Sequence, residues 1–205
     1  MEKKAKDLST EERIKAAART LFTRKGYAAT RTRDIAKEAG INLALLNYYY
    51  RSKEKLFDLV ILENFGQFVE GVRAIMNEQT TSLEEKIEGL VNLYIGKLLA
   101  NPDLPLFILN EMRSNPKTLK SKGLTKDMLR NSHFMKQLTE ELILRRKLSV
   151  NPIHFVMNTL AMTVFPFAAA PLLKEVSGMS EEVFVALMEE RRKLIPVWIK
   201  KIMQP

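Results

Sequence analysis

The sequence predicts an all-α protein. Apolar residues recur at offsets of three and four along most of its 205 residues, which is the spacing of one face of an α-helix. No stretch alternates between apolar and polar residues with a period of two, so no strands are expected. Glycine and proline number only 8 each, which leaves long segments free to be helical.

The first predicted helix begins at the capping box that Ser9 forms with Glu12. Gly26 is expected to end this helix, because glycine tolerates the left-handed conformation that often follows a last turn. Tyr27 can then fold back onto Phe22. The apolar face of the helix carries Ile14, Ala17, Ala18, Leu21 and Phe22.

Two short helices follow, separated by a turn that contains Gly40. Either Thr30 or Thr32 is predicted to cap the first of them, and Asn42 is predicted to cap the second, which runs to about Tyr50. Two short helices joined by a tight turn of this kind form the helix-turn-helix pattern.

Ser52 is predicted to cap a long helix from Lys53 to about Met76. Further helices are expected over residues 82–100, 104–114, 125–148, 152–167 and 180–203, with Asn-Pro pairs between several of them. We therefore expect a three-helix domain in residues 1–55, followed by a helical bundle in residues 56–205.

The basic excess of the chain is concentrated at its N-terminal end. The first sixty residues hold 14 Lys and Arg against 8 Asp and Glu, a net charge of +6 out of +9 for the whole chain. A basic module on a nearly neutral body suggests a polyanionic partner. A solubilising surface is the other interpretation, and charge alone favours neither.

Several classes of enzyme site are disfavoured by composition. The chain has no cysteine, which excludes a thiol nucleophile, a Cys-ligated zinc site and a disulfide framework. His133 and His154 are the only histidines and lie outside any metal-ligand spacing. No Gly-rich phosphate loop or Gly-x-Ser-x-Gly elbow is present. We expect no catalytic residues, no metal and no cofactor.

A membrane location is also disfavoured. The charged N-terminus lacks the apolar segment of a secretory signal, so a cytoplasmic protein is expected. Residues 156–173 are apolar but include Asn158, Pro166 and Pro171, and they are at the short limit for a span. We interpret them as a buried interface helix.

An ordered set of short motifs occupies the N-terminal residues without gaps: Ala17-Ala18-x-x-Leu21-Phe22-x-x-x-Gly26-Tyr27-x-x-Thr30, Arg33-Asp34-Ile35-Ala36-x-x-Ala39-Gly40-Ile41 and Leu46-x-Tyr48-Tyr49-Tyr50-x-Ser52-Lys53-Glu54-x-Leu56. The segment from Ile14 to Leu62 resembles the DNA-binding domain of the TetR family of transcriptional regulators. The resemblance implies a homodimer that binds a palindromic operator in double-stranded DNA, with a leaning toward repression. It also implies that the helical bundle binds a ligand and dimerises.

The third helix has an outward face suited to a major groove. With Leu46 and Tyr50 placed inward, a rotation of 100° per residue turns Ala44, Asn47 and Tyr48 outward. Asn47 can then pair with adenine, and tyrosine hydroxyls suit phosphate oxygens. The predicted DNA-binding residues are Thr30, Arg31, Arg33, Asn42, Leu43, Ala44, Leu45, Asn47, Tyr48, Tyr49 and Lys53.

The sequence departs from the family at three of these positions. Many members carry Lys or Arg in place of Leu43, Gly in place of Ala44 and an aromatic residue in place of Asn47. The operator sequence is therefore open, and Arg31 and Arg33 are candidates for the missing phosphate contacts. Lys53, at the start of a helix, is predicted to bind phosphate, although a solvated lysine is the alternative.

The helical bundle offers candidates for two further surfaces. An unidentified apolar or amphipathic effector is predicted to bind near Met112, Phe134, Phe155 and Asn158. The dimer interface is predicted at Val164, Phe167, Phe184, Met188, Ile195 and Trp198. The alternative function is a DNA-binding regulator or architectural protein without a small-molecule effector.

Overall fold

The computed structural model describes residues 9–102, 104–106, 108–109, 123, 125–145 and 149–204, with only the backbone for residues 61–64. All regular structure in these residues is helical, which confirms the all-α prediction. The described chain folds into two compact units. The first contains residues 9–67, and the second contains residues 68–106 and 123–204.

The helices of the first unit are α1 (Thr10–Ala29), α2 (Thr32–Glu38), α3 (Leu43–Tyr49) and α4 (Lys53–Phe57), followed by a π-helical turn (Asp58–Leu62). Helix α5 (Glu63–Asn77) continues the chain into the second unit. The remaining helices are α6 (Leu83–Ala100), α7 (Lys126–Arg130), α8 (His133–Thr139), a π-helical turn (Glu140–Arg145), α9 (Ile153–Ala168), α10 (Ala170–Ser177) and α11 (Glu181–Ile202).

The predicted ends of α1 are largely confirmed. The capping box is formed in both directions, because the Ser9 hydroxyl accepts from the Glu12 N–H and the Glu12 carboxylate accepts from the Ser9 N–H. Gly26 breaks the helix with φ 76° and ψ 169°, an extended conformation available almost only to glycine, and not the left-handed one that was expected. Tyr27 stacks on Phe22 with ring centroids 6.1 Å apart.

The turn between α2 and α3 is a Schellman motif. Gly40 adopts φ 64°, its N–H donates to the Lys37 carbonyl, and the Ile41 N–H donates to the Ala36 carbonyl at 3.0 Å. The prediction of a threonine cap for α2 is wrong: Arg31 occupies the cap position and makes no side-chain capping bond. Asn42 caps α3 as predicted, because its side-chain oxygen accepts from the Leu45 N–H at 2.8 Å.

Two long predicted helices are subdivided. The helix predicted from Lys53 to Met76 contains the π-helical turn Asp58–Leu62. The helix predicted from Thr125 to Leu148 is interrupted at Ser132, whose hydroxyl donates to the Leu129 carbonyl and accepts from the Met135 N–H. Ser132 therefore caps α8, and its short side chain explains a break that apolar periodicity did not reveal.

The second unit is built around α6, which contributes Val91 and Ile95 to its buried core. Helices α8, α9 and α11 surround it with Leu138, Phe155 and Ile199. These residues are far apart in sequence, so their packing depends on tertiary contacts rather than on local signals.

A half-buried arginine compensates for the hydrogen bond that Pro166 removes from α9. Proline has no N–H, so the Met162 carbonyl one turn earlier loses its helical partner. Arg191 of α11 donates to that carbonyl at 2.7 Å, and its guanidinium lies 5.2 Å from the ring centre of Trp198. Burial lowers the pKa of Arg191 from its ordinary value.

Within the described residues, none of the helices alone has the length and apolarity needed to cross a membrane. Helices α9 and α10 meet those criteria only when they are taken together, and they are bent by 67° at their junction.

Candidate nucleic-acid interface and effector cavity

Helix α3 presents the outward face that its sequence predicted. Leu46 is 1% exposed, whereas Ala44 and Asn47 lie on the surface and Tyr48 is 80% exposed. Leu43 and Leu45 are half-buried at the flanks. The face therefore combines one small residue, one amide and one phenol, which suits close approach to base edges and phosphates.

The three consecutive tyrosines have different surroundings. Tyr48 and Tyr49 form an edge-to-face pair with ring centroids 5.6 Å apart, and both are exposed. Tyr50 is half-buried, and its hydroxyl donates to the Glu11 carboxylate at 3.3 Å. Burial, followed by the charge of Glu11, raises the pKa of Tyr50 to about 12. Tyr50 thus connects the end of α3 to the start of α1.

Thr30 was predicted on the DNA-binding surface, but its side chain is buried and is not part of that surface. Its side chain is 1% exposed, and its hydroxyl lies 3.1 Å from the Leu21 carbonyl and 2.8 Å from the Gly26 carbonyl. A buried hydroxyl needs such partners, because an unpaired one is costly. Thr30 holds together the irregular end of α1.

Lys53 is anchored inside the first unit. Its ammonium group donates to the Tyr27 carbonyl at 2.9 Å and to the Thr30 carbonyl at 3.0 Å, and it lies 4.1 Å from the centre of the Tyr27 ring. These contacts connect the start of α4 to the end of α1. The predicted phosphate contact stays a prediction, and it would have to use the remaining N–H of this group.

Exposed cations lie close in sequence to α3. Arg31 and Arg33 are exposed at the start of α2, and Arg51 is exposed just after α3. Asn42 is also exposed, although its side-chain oxygen is used in the helix cap. Exposed guanidinium and amide groups therefore lie close in sequence to α3, where they are available to phosphates and base edges.

The second unit contains an apolar cavity of about 380 Å³. Helices α5, α6, α8 and α9, together with the segment at α7, form its walls. The apolar lining includes Val72, Met76, Leu90, Val91, Met128 and Phe134. Its size lies at the lower end of the range for small-molecule sites.

Of the four predicted effector residues, Phe134 lines this cavity. Phe155 is a core residue, 6% exposed, and does not reach the cavity. Asn158 is exposed and is not part of the lining, so its prediction is corrected. The next residue, Thr159, lines the cavity instead. Met112 lies outside the described residues. The sequence did not predict Tyr94 and Thr163 as lining residues. A single polar residue on an apolar helix face does not indicate whether that face borders a cavity or the core.

The charged residues that the structure describes at the cavity are both cations. Lys126 and Arg130 line it from α7, and no carboxylate is present in this described lining. Burial raises the pKa of Tyr94, which also lines the cavity, to about 12. The tyrosine is therefore neutral near pH 7 and can donate a hydrogen bond.

Most of the predicted dimer-interface residues prove to be core residues. Phe167, Phe184, Met188 and Ile195 are at most 5% exposed within a single chain, and the first two stack edge-to-face. Val164 and Trp198 are half-buried against the same core. The apolar stripe of α11 is buried as predicted, but these residues pack within the protomer.

A different set of apolar side chains is exposed on α9 and α10. Met157 and Phe165 on α9 are 59% and 63% exposed, and Leu172 and Val176 on α10 are 64% and 79% exposed. Leu172 and Val176 are four residues apart and share one helix face. Exposed apolar residues that share a surface indicate a contact site.

The chain is also similar to known proteins in sequence. Residues 14–60 match the family described as "Bacterial regulatory proteins, tetR family". The "Probable HTH-type transcriptional regulator YttP" of Bacillus subtilis is 25% identical over 199 residues, which cover 95% of this chain and 94% of that protein. Among the described residues, no group of three or more His, Asp or Glu could hold a metal ion.

Solved structures share the fold of the whole chain. The ketosteroid transcriptional regulator KstR2 of Mycobacterium tuberculosis superimposes with a TM-score of 0.67 at 15% identity, covering 93% of this chain and 95% of that one. FadR of Bacillus subtilis, solved in complex with stearoyl-CoA, gives a TM-score of 0.53 at 18% identity, with 90% and 97% covered.

Proposed function

The chain belongs to the TetR family of bacterial regulatory proteins, and on that premise we propose that it is a ligand-responsive transcriptional regulator, acting as a repressor. The observation that carries the DNA-binding part is the outward face of α3. Ala44, Asn47 and Tyr48 are exposed there, while Leu46 anchors the helix. Such a regulator works where the chromosome is, so we place it in the cytoplasm.

In this proposal α3 enters the major groove and Asn47 reads one base. Its amide can donate to and accept from an adenine edge, a pairing worth about 1–3 kcal/mol of discrimination. Leu43 and Leu45 suit contacts with thymine methyl groups. Arg31, Arg33 and the hydroxyls of Tyr48 and Tyr49 bind phosphates and set the register.

The test begins with selection of bound sequences from random DNA. Asn47→Ala should lose discrimination at one position of the selected site, whereas Arg33→Ala should weaken binding to all sequences and reduce the salt slope by about one. Lys37→Ala, on the exposed side of α2, is a control for charge loss. Variants at Asn47 and Arg33 that bind like the unmodified protein would contradict the assignment.

The cavity supports a small-molecule effector. The similar structures include a ketosteroid transcriptional regulator and a regulator solved in complex with stearoyl-CoA, and the cavity here has the apolar walls that such compounds need. An effector must bind the DNA-incompetent state more tightly to release the operator. A DNA-binding protein without an effector would leave this cavity without a role.

We further propose a two-fold homodimer formed through the exposed apolar face of α9 and α10. Two-fold symmetry makes the same patch meet itself. It would also place two copies of α3 in successive major grooves, roughly 34–36 Å apart, so that the operator is palindromic.

The dimer is tested by placing a charge on that face. Phe165→Glu or Val176→Glu should give weaker dimers in sedimentation and weaker operator binding together, since both changes bury a charge at the contact. Leu144→Glu is the control, because Leu144 is 71% exposed on the π-helical turn Glu140–Arg145. A monomeric unmodified protein with full operator affinity would contradict the proposal.

A further inference from the structure

We propose that the effector is an acyl chain of about a dozen carbons with an anionic head, bound tail-inward in the cavity with its head at Lys126 and Arg130. The inference rests on the proposed function, because it names the chemical class of the compound that the cavity binds. It depends on three features of the lining: the sign of its charges, its volume and its hydrogen-bond donors.

The sign of the charges selects an anion. Lys126 and Arg130 are four residues apart on α7, so they lie on the same face of the helix. Both line the cavity, no carboxylate does, and neither cation forms an ion pair with another residue in the described part of the chain. Two unpaired cations at an apolar cavity attract a negatively charged group.

A second concavity in the same unit shows the opposite pattern. The groove between α6 and α11 contains the cations Arg192, Lys193 and Lys200, but it also contains the carboxylates Glu84 and Glu88. Lys200 pairs with Glu84 there at 2.9 Å. That groove therefore has charges of both signs, whereas the described lining of the cavity has cations alone.

The volume limits the length of the chain. A water-sized group occupies roughly 30 Å³, and a methylene group is of similar size. The cavity of about 380 Å³ therefore holds on the order of a dozen methylene groups. Each buried methylene contributes about 0.8 kcal/mol, which is a factor of about four in affinity.

Some hydroxyl groups of the lining already donate to backbone carbonyls, and others are available to a ligand. The Thr159 hydroxyl donates to the Phe155 carbonyl at 2.7 Å, and the Thr163 hydroxyl donates to the Thr159 carbonyl at 2.6 Å. Tyr94 forms no hydrogen bond within the described residues, although its ring packs against Phe68. The Thr125 hydroxyl accepts from the Met128 N–H at 3.4 Å. Tyr94 and Thr125 are thus the lining hydroxyls that can donate to an oxygen of the ligand.

The experiment measures binding of defined probes to the full chain by calorimetry. Decanoate should bind about tenfold or more tightly than decan-1-ol, because a charge-assisted contact is worth about 1.5–3 kcal/mol. The doubly substituted variant Lys126→Ala/Arg130→Ala should lose that difference and still bind decan-1-ol. The control Lys136→Ala/Lys201→Ala removes two exposed charges outside the cavity and should bind decanoate normally.

Three further measurements test the chain length, the anionic head and the role of Tyr94. Affinity should rise about fourfold per carbon from octanoate upward and then stop rising near a dozen carbons. Decanoyl-CoA distinguishes the source of the anion, since tighter binding than decanoate indicates a phosphate-bearing head. Tyr94→Phe should weaken binding by about tenfold without loss of folding, as checked by circular dichroism.

Equal affinity for decanoate and decan-1-ol, or a rise in affinity that continues through octadecanoate, would overturn the inference. Operator binding is measured in parallel without any acyl compound. If the protein binds its operator but no acyl chain, the inference fails and the proposed regulator stands. If it binds acyl chains but no operator, the DNA-binding function fails instead.

Discussion

The two units of the chain are specified by different kinds of information. In the first unit, the capping box of α1, the Schellman turn at Gly40 and the cap at Asn42 are each completed within six residues. In the second unit, the cavity is formed by residues as distant as Val72 and Thr163. The comparison teaches that local signals determine the helix-turn-helix of the first unit, whereas long-range packing determines the cavity that we propose as the effector site.

The largest expected effect is on the core of the second unit. Ile195 is fully buried, so Ile195→Ala should lower the free energy of unfolding by about 2–5 kcal/mol through lost burial and a residual cavity. Thermal and urea unfolding measure this change. Val197→Ala is the matched control, because Val197 on the same helix is 48% exposed and should be nearly neutral.

If Ile195→Ala instead left unfolding unchanged and only dissociated dimers, Ile195 would be an interface residue. The distinction between core and contact on α11 would then be wrong.

The next effect separates a structural from a DNA-contacting role for Lys53. Lys53→Met keeps the side-chain stem but leaves the Tyr27 and Thr30 carbonyls without their charged donor. It should lower the free energy of unfolding by about 1.5–3 kcal/mol. Unchanged stability, combined with a salt slope reduced by about one, would assign Lys53 to phosphate binding instead.

The smallest effect compares two glycines whose built β-carbons would meet no atom within 4 Å. Gly26→Ala should destabilise the first unit by about 1–3 kcal/mol, because φ 76° and ψ 169° suit almost only glycine. Gly66→Ala in α5 should stabilise the protein by about 0.5–1 kcal/mol, because alanine favours helices. Equal effects of the two substitutions would mean that the backbone at Gly26 is not strained for alanine.

The helix-turn-helix could be predicted because its signals are local. The inward position of Leu46 follows from helical periodicity, and the cap at Asn42 follows from its side chain. The buried role of Thr30 could not be predicted, because its hydroxyl partners lie in the irregular end of α1. The contact of Lys53 with the Tyr27 carbonyl spans 26 residues and likewise depends on tertiary structure.

In the second unit, the sequence predicted apolar helices but not which side of each helix is covered. Met188 and Phe165 are both large apolar residues within apolar helices, yet Met188 is in the core and Phe165 is exposed. Ser132 divides a predicted helix through two hydrogen bonds to its own backbone neighbours. Tyr94 became a candidate only when the cavity beside it was known.

The central claim is that α3 binds a specific DNA sequence and that the second unit binds the effector. The most direct test of the DNA-binding part is the affinity for a selected operator. Binding of the selected palindrome should be tighter than binding of a scrambled duplex by about 10³-fold or more at physiological salt. Asn47→Ala should reduce that ratio by removing about 1–3 kcal/mol of discrimination at each half-site. Equal affinity for the palindrome and the scrambled duplex, with no change in Asn47→Ala, would contradict the claim.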